Sequence, residues 1–433
     1  MRIHKGLIFN PVSATKMEIL NPGYLVISDK GRIEGLFRKN PKRNFPGAVL
    51  TDYGKKVIVP GLIDTHVHLP QYAFAGIGNL ELLPWLEKYT FPRESRFSDK
   101  KTATIAARVF FDDLAKNGTT TALVYGTIHK TATDIAFQTA YKKGIRVIMG
   151  KVMMDQQSPK SLTEKTTTSM LESEALIKKW HGKDNGRILY ALTPRFAITC
   201  SSALMKGASA LAKKYDTYIQ THLAENKGEI AFVSKLFPKS KSYTAIYADH
   251  GLLGKKTIMA HCIYTDKNER KLLKDSGAKI AHCACSNRFL QSGVMPFRKW
   301  SNEGLTIGLG TDVAGGYSLS ILNEMKEAIE TSKTYNMLNP RSPEKIISPT
   351  EALYLATLGG AKVLSLDKTI GNFIPGKEAD FVVLDPLPSD PFKSKSAYQS
   401  PAEILSRLIY RAGPESVIAV FVRGKKILNN PNK

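Results

Sequence analysis

Two histidines stand one residue apart in the segment PGLIDTHVHLPQY, residues 60–72. They are His66 and His68, two of only nine histidines in the chain. Because side chains at i and i+2 of a β-strand point to the same face, the two imidazoles can reach a common centre. Imidazole is a frequent ligand of divalent metal ions, so the pair indicates a chelate at the end of a strand. A lone histidine at a strand end is more often a packed core residue than a ligand, and the pair alone leaves both interpretations open.

Other apolar runs end on polar residues of the same kind. His222 lies in THLAEN, His261 in TIMAHC and Asp312 in GLGTD. Burying so many polar groups without partners would cost about 2 kcal/mol or more each, a cost that a shared metal ion offsets. Glu225 follows His222 by three residues and could move protons at this centre. Since a bound metal ion lowers the pKa of water from about 15.7 to about 7, the set predicts metal-assisted hydrolysis.

The apolar runs that end on these residues belong to a repeating pattern. Eight β-rich runs alternate mostly with amphipathic helical segments, at residues 57–68, 119–126, 145–155, 187–195, 218–225, 257–262, 279–286 and 305–312. This pattern predicts a (β/α)8 barrel, whose active site lies at the C-terminal ends of the strands. One segment, 101–118, predicts a helix with Ile105, Val109 and Leu114 on a single face and Gly118 as the cap.

Both ends of the chain have short alternating strands instead. They predict a small β-sandwich domain built from residues 1–59 and 376–433, with the barrel occupying residues 60–375. The connection at 69–98 is long for a link between a strand and a helix, and contains the apolar stretch LELLPWLEKYTF. Because it follows the first strand, we expect it to form a lid over the barrel mouth.

Composition narrows the class of protein. The net charge of +24 suggests nucleic-acid binding, but the lysines are scattered in short clusters and no nucleic-acid motif accompanies them, so we expect no specific nucleic-acid partner. We also expect no membrane span, because no apolar stretch approaches about 20 residues, and a cytoplasmic location, because the N-terminus lacks a signal-peptide pattern. The four cysteines form no disulfide framework and predict reduced, mostly buried thiols.

Several motifs together resemble the guanine deaminase family of the amidohydrolase superfamily. They are PGLIDTHVHLPQYAFAG, WLEKYTFPRESRF, NGTTTA, TPRFAITCS, THLAENKGE, GLGTDVAGGYS and ATLGGA, spread between about residues 60 and 380. The resemblance implies hydrolysis of guanine to xanthine and ammonia, one Zn²⁺ per subunit and a homodimer. Related enzymes with two metal ions carry a modified lysine near the end of the fourth strand, where this chain has TPRF.

The resemblance also implies roles for individual residues. The metal ligands would be His66, His68, His222 and Asp312, whereas His261 would hydrogen-bond the attacking water or the tetrahedral intermediate. Glu225 would protonate a ring nitrogen of the purine and Asp312 would draw the proton from the water. Purine-binding positions match Gln71, Arg195 and Phe196, besides His222, Glu225, His261 and Asp312. A bidentate arginine suits the adjacent O6 and N7 acceptors of guanine.

One stretch departs from the family pattern, and three rival functions stay open. The family usually has H-C-P-x-S-N after the seventh strand, but this chain has HCACSN at 282–287, which could loosen the loop and alter substrate preference. His282 itself is expected behind the ligands. The first rival is a related amidohydrolase that acts on cytosine, an adenine derivative, a triazine or a pterin. The second is a catalytically inactive scaffold of the same fold, and the third is a basic nucleic-acid binder.

Overall fold

The computed structural model describes residues 1–390 and 400–429 and contains two sheets. In chain order the strands are β1 (Arg2–Pro11), β2 (Met17–Ile27), β3 (Ile33–Phe37), β4 (Val49–Pro60), β5 (Leu62–His68), β6 (Thr119–Tyr125), β7 (Arg146–Gly150), β8 (Val152–Met153), β9 (Ile188–Pro194), β10 (Tyr218–Leu223), β11 (Thr257–His261), β12 (Lys279–His282), β13 (Ile307–Leu309), β14 (Phe381–Leu384), β15 (Val417–Val422) and β16 (Lys425–Asn429).

Most of the helices follow the barrel strands in the chain. They are α1 (Leu82–Trp85), α2 (Phe91–Glu94), α3 (Lys100–Lys116), α4 (Lys130–Lys143), α5 (Thr166–Trp180), α6 (Lys183–Gly186), α7 (Ser202–Tyr215), α8 (Lys227–Leu236), α9 (Tyr243–Asp249), α10 (Lys267–Ser276), α11 (Ala284–Phe289), α12 (Phe297–Asn302), α13 (Ile321–Leu338), α14 (Pro349–Tyr354), α15 (Gly360–Val363) and α16 (Pro401–Arg411). Shorter 3₁₀ and π turns join several of them.

Eight parallel strands form the predicted barrel, in the order β5-β6-β7-β9-β10-β11-β12-β13. Their residues are almost entirely buried, as expected for parallel strands that are covered on both faces. The first and last strands meet at a seam, where the Asp312 amide donates to the His66 carbonyl at 2.8 Å. The His68 amide likewise donates to the Val313 carbonyl at 3.1 Å. This seam places the two predicted histidines beside the predicted aspartate.

Helix α3 shows where the sequence interpretation was wrong. The helix begins at Lys100, capped by the Asp99 carboxylate, and its buried face carries Ala103, Ala107, Phe110, Phe111 and Leu114. Ile105 and Val109 are 47% and 40% exposed, so they do not share a face with Leu114. Position 114 is nine residues after 105, which at about 100° per residue is half a turn away. Gly118 lies just beyond the helix with φ +83°, as a capping glycine should.

Strands from both termini form one continuous mixed sheet, in the order β16-β15-β14-β4-β1-β2-β3, which confirms the small β domain. The chain passes from it into the barrel at Gly61, where a Cβ would lie 2.1 Å from the Thr120 hydroxyl. Arg146 at the start of β7 also joins the two parts, through Glu378 at 2.5 Å and Asp380 at 3.1 Å. The division at residues 60 and 375 stays a prediction, and residues 391–399 and 430–433 of its second segment lie outside the described residues.

The connection at 69–98 covers the barrel mouth, as predicted. It consists of a 3₁₀ turn at Leu69–Phe74, α1, a π turn at Leu86–Thr90, α2 and a further 3₁₀ turn at Ser95–Ser98. Leu82, Trp85 and Leu86 of this segment line the pocket at the ends of the barrel strands. We call residues 69–98 the lid.

Two further sequence predictions concern cysteines and membranes. All four cysteines are free and buried, as expected. Within the part of the chain that the structure describes, no helix is both long and apolar enough to cross a bilayer.

Candidate active site

The predicted polar residues converge at the C-terminal ends of the barrel strands. Nε2 of His66 lies 3.2 Å from Nε2 of His68, which in turn lies 3.3 Å from Nε2 of His222. One carboxylate oxygen of Asp312 lies 3.2 Å from His66 Nε2 and 3.1 Å from His68 Nε2. The strand of Asp312 can approach so closely because Gly310 has no side chain, and a Cβ there would lie 2.8 Å from the Cβ of His66.

Two of the imidazoles are oriented by hydrogen bonds on their outer nitrogen. Nδ1 of His222 donates to the carbonyl oxygen of Arg195 at 2.7 Å, and Nδ1 of His261 donates to the side-chain oxygen of Asn287 at 2.8 Å. A donor at Nδ1 leaves the lone pair of Nε2 free, and this lone pair points into the cluster. Such outer contacts are typical of histidines that bind metal ions.

The donor set fits a divalent metal ion. One ligand atom each from His66, His222, His261 and Asp312 lies within 4.8 Å of all the others, and His68 adjoins three of these residues. Nε2 of His261 is buried and has no hydrogen-bond partner within the described chain. A proton can satisfy only one close nitrogen–nitrogen contact at a time, whereas a cation satisfies several lone pairs together. Nitrogen and carboxylate oxygen donors suit a catalytic zinc site.

The protonation states agree with this interpretation. Burial lowers the pKa of His68 to about 4, so its imidazole is neutral near pH 7 and can act as a ligand. Burial also lowers the pKa of His222 well below its usual value. Burial alone would raise the pKa of Asp312, but hydrogen bonds from His66 and His68 outweigh it and hold the pKa well below its usual value. The centre therefore combines the neutral imidazoles of His68 and His222 with the ionised carboxylate of Asp312.

Glu225 lies beside this cluster and has a perturbed carboxyl group. Burial, and to a smaller extent the neighbouring charge of Asp312, raises its pKa to about 8. One carboxyl oxygen accepts a hydrogen bond from Ser292 at 3.0 Å, and the other lies 3.3 Å from Nε2 of His261. The backbone amide of Glu225 donates to Glu229 at 2.8 Å, which fixes the loop. The carboxyl binds a proton more readily than an exposed glutamate does.

A pocket opens over the cluster, and the predicted substrate-binding residues line it. Gln71, Arg195 and Phe196 belong to its wall, together with His68, Leu82, Trp85, Leu86, His222, Glu225, Leu290, Asp312 and Gly315. Gln71 and Arg195 are each only 2% exposed. An N–H of Arg195 donates to Glu94 of the lid at 2.7 Å, and the other guanidinium N–H groups have no hydrogen-bond partner among the described residues. The wall therefore offers aromatic and aliphatic faces with a few polar groups.

Sequence reasoning missed four residues that contact the predicted ones. Glu94 binds Arg195, Asn287 binds His261, Ser292 binds Glu225, and the Ser286 hydroxyl donates to Asp312 at 2.6 Å. Ser286 and Asn287 belong to HCACSN, directly after the seventh barrel strand. Their position at the C-terminal end of a strand was the signal that could have identified them as site residues. Glu94 and Ser292 follow no strand end.

The segment that departs from the family pattern is well packed. Residues 284–289 form α11, and its first four residues are buried without the usual proline. His282 is fully buried behind the cluster, and its ring lies 5.8 Å from that of Phe297. The predicted loosening of the loop is therefore not visible in this structure.

Comparisons with known proteins agree with the fold and the site. Residues 57–427 match the model of the amidohydrolase family. The guanine deaminase of Escherichia coli K12 is 42% identical over 376 residues, which cover 86% of this chain and 83% of that protein. The guanine deaminase of Homo sapiens is 36% identical over 98% of this chain and 96% of its own length. A crystal structure of guanine deaminase from C. acetobutylicum with bound guanine in the active site superposes with a TM-score of 0.93 and 35% identity, covering 99% of this chain and 100% of that one. This chain belongs to the amidohydrolase family.

Proposed function

We propose that the protein hydrolyses guanine to xanthine and ammonia, an activity that serves guanine breakdown and salvage. One arrangement carries the proposal: the histidine–aspartate cluster and Glu225 form the floor of a pocket whose wall presents Arg195 and Gln71. The floor supplies hydrolytic chemistry and the wall supplies donors for an oxygen-bearing purine. Guanine deaminases that are similar over most of both chains, one of them with bound guanine, support the same substrate.

We assign one zinc ion to the cluster, held by His66, His68, His222 and Asp312. Zinc, when bound there, supplies the Lewis acidity that brings the pKa of water from about 15.7 to about 7. His261 is assigned to the reacting oxygen rather than to the metal because its Nε2 lies closer to Glu225, at 3.3 Å, than to Asp312, at 3.7 Å. One ion is favoured because the fourth strand offers no bridging lysine.

The chain's own groups divide the proton transfers. Asp312 is an ionised carboxylate at the floor and accepts the proton of the attacking water. Glu225 carries a proton more readily than an ordinary glutamate and donates it to a ring nitrogen, and then assists the departure of ammonia. Nε2 of His261 accepts a hydrogen bond from the attacking water, since the proton of the ring is on Nδ1 and is donated to Asn287.

The pocket wall recognises the ring. The free N–H groups of Arg195 suit the adjacent O6 and N7 acceptors of guanine. Gln71 supplies a donor and an acceptor from one amide, and Phe196 gives an apolar surface. Adenine has an amino group where guanine has O6, so it would leave the arginine unpaired and should be rejected.

A panel of aminated purines, pyrimidines, pterins and triazines tests the substrate. We expect the metal-loaded protein to release ammonia from guanine at least about 100-fold faster than from adenine or cytosine, because unpaired buried polar groups penalise the wrong ring. Equal rates, or a faster reaction with another heterocycle, would overturn the assignment and identify the related amidohydrolase instead. A homodimer and a cytoplasmic location stay predictions, and sedimentation analysis tests the first of them.

A further inference from the structure

We propose that Glu94 of the lid is a positioning residue that fixes Arg195 and Gln71 and cancels the charge of the pocket wall, so that the pocket prefers a neutral ring to an anionic one. This inference rests on the proposed function.

Glu94 contacts both predicted purine-binding side chains from behind. Its two carboxylate oxygens accept separate hydrogen bonds, one from Gln71 Nε2 at 3.0 Å and one from Arg195 at 2.7 Å. Glu94 is 4% exposed and does not line the pocket, so it can affect a ligand only through these two side chains. Phe91, on the same turn of α2, places its ring 5.4 Å from the guanidinium and limits its movement.

The contacts also fix the orientation of the Gln71 amide. Its oxygen accepts from the Ala314 amide at 3.2 Å, and its nitrogen donates to Glu94. An ionised carboxylate can only accept and a backbone amide can only donate, so the two partners define which end of the side chain is oxygen. The Gln71 amide keeps one N–H and one oxygen lone pair that can bind a ligand, and the directions of both are fixed before the ligand enters.

The same carboxylate determines the charge of the wall. Arg195 and Glu94 form a buried ion pair whose formal charges sum to zero. Without Glu94, the guanidinium would be an uncompensated cation in a site from which water is largely excluded, where attraction for an anion is strong. Deamination replaces an amino group with an oxo group and makes the purine more acidic. A neutral wall therefore does not retain the anionic form of an oxopurine product.

The test compares guanine with urate, an oxopurine that is anionic at neutral pH, on the metal-loaded full chain. For Glu94→Gln we expect the KM for guanine to rise about 10–100-fold, as when other supporting contacts of a site are removed, with a much smaller change in kcat. We expect the ratio of the urate Ki to the guanine KM to fall by at least about tenfold, because the freed guanidinium attracts the anion.

Two further variants separate this role from a general loss of stability. Glu378→Gln alters a carboxylate that pairs with the buried Arg146 at the opposite end of the barrel, and it should keep both constants near wild type. Glu94→Asp keeps the charge but is one methylene too short to reach both partners. It should raise the KM for guanine while leaving the ratio close to wild type, and Glu94→Ala replaces Glu94→Gln in the measurement of the ratio if Glu94→Gln does not fold.

Each outcome has one meaning. A ratio that is unchanged in Glu94→Gln, or a KM for guanine that is unchanged in both variants, overturns the inference. A wild-type protein that releases no ammonia from guanine refutes the proposed function instead. In that case calorimetric binding of guanine and urate to wild type and Glu94→Gln decides the role of Glu94 separately.

Discussion

Replacing Glu225 with glutamine tests the proposed proton transfer most directly. Glutamine has almost the same shape, and its side-chain oxygen can still accept the hydrogen bond that the Ser292 hydroxyl makes to Glu225 at 3.0 Å. It cannot hold and release a proton. The substitution therefore removes one chemical property of the site and leaves its packing nearly intact.

The expected size follows from the environment of the carboxyl group. Burial, together with the charge of Asp312, raises the pKa of Glu225 to about 8, so its carboxyl holds a proton near pH 7 more readily than an exposed glutamate does. A positioned acid or base of this kind contributes a factor of about 10² to 10⁴, or about 3–5 kcal/mol of barrier. We expect Glu225→Gln to lower kcat for guanine by that factor, with KM within about threefold of wild type.

The assay is ammonia release from guanine, with metal content and melting temperature measured on each variant. Ser292→Ala keeps the carboxyl but removes its hydrogen bond, so its loss in kcat should be about tenfold or less. Glu303→Gln, which alters an ion pair with Arg270 outside the active site, should match wild type. A Glu225→Gln protein that folds, binds metal and keeps kcat within about threefold of wild type would refute the assigned role.

Three other expectations concern the metal, the pH dependence of stability and the link between the two sheets. Removing the metal with a chelator should abolish ammonia release. It should also lower the melting temperature, because a ligand that binds only the folded state stabilises that state, and added zinc should restore both properties. Full activity in a metal-free protein would contradict the proposed metal site. Burial lowers the pKa of His4 from 6.5 to about 4 in the folded protein. As the pH falls from about 6.5 to about 4, the unfolded chain therefore binds a proton that the folded protein does not, and the free energy of unfolding falls by about 3 kcal/mol. The free energy of unfolding, measured with denaturant, should fall less between about pH 7 and about pH 4.5 in His4→Gln than in wild type. Equal falls in the two proteins would exclude His4 as the cause. Arg146→Met removes the buried guanidinium that Glu378 and Asp380 share and leaves them only their contacts with Arg423 and Arg32. It should lower the free energy of unfolding by about 3 kcal/mol, whereas a change below about 1 kcal/mol would show that the ion pairs add little.

The barrel and the centre of the site were predictable because both depend on short-range patterns. Each apolar run is long enough to be a buried strand, and parallel strands bring their C-terminal ends together whatever lies between them. His66 and Asp312 could therefore be placed near each other from the position of each on its own run. The assigned roles of these residues still rest on the proposed function.

The supporting contacts were not predictable in the same way. Glu94 lies 101 residues from Arg195, within a lid whose path is set by packing rather than by a periodic pattern. The only sequence signal for Glu94 was its presence in the family motif WLEKYTFPRESRF, and this motif did not indicate which residue Glu94 contacts. The prediction of the buried face of α3 was wrong for a different reason. Two apolar residues, Ile105 and Val109, lie on the exposed side, so apolar character alone did not identify the packed face.

The seam between β5 and β13 has a consequence for how the protein is made. Asp64 accepts hydrogen bonds from the amide and the hydroxyl of Thr311, a residue 247 positions later in the chain. A nascent polypeptide on the ribosome cannot close this seam until its eighth barrel strand has emerged, and contacts of such long range form late in folding. A chain released before residue 312 would lack Asp312, the carboxylate that we propose as a metal ligand, so binding of the proposed cation would come near the end of biosynthesis.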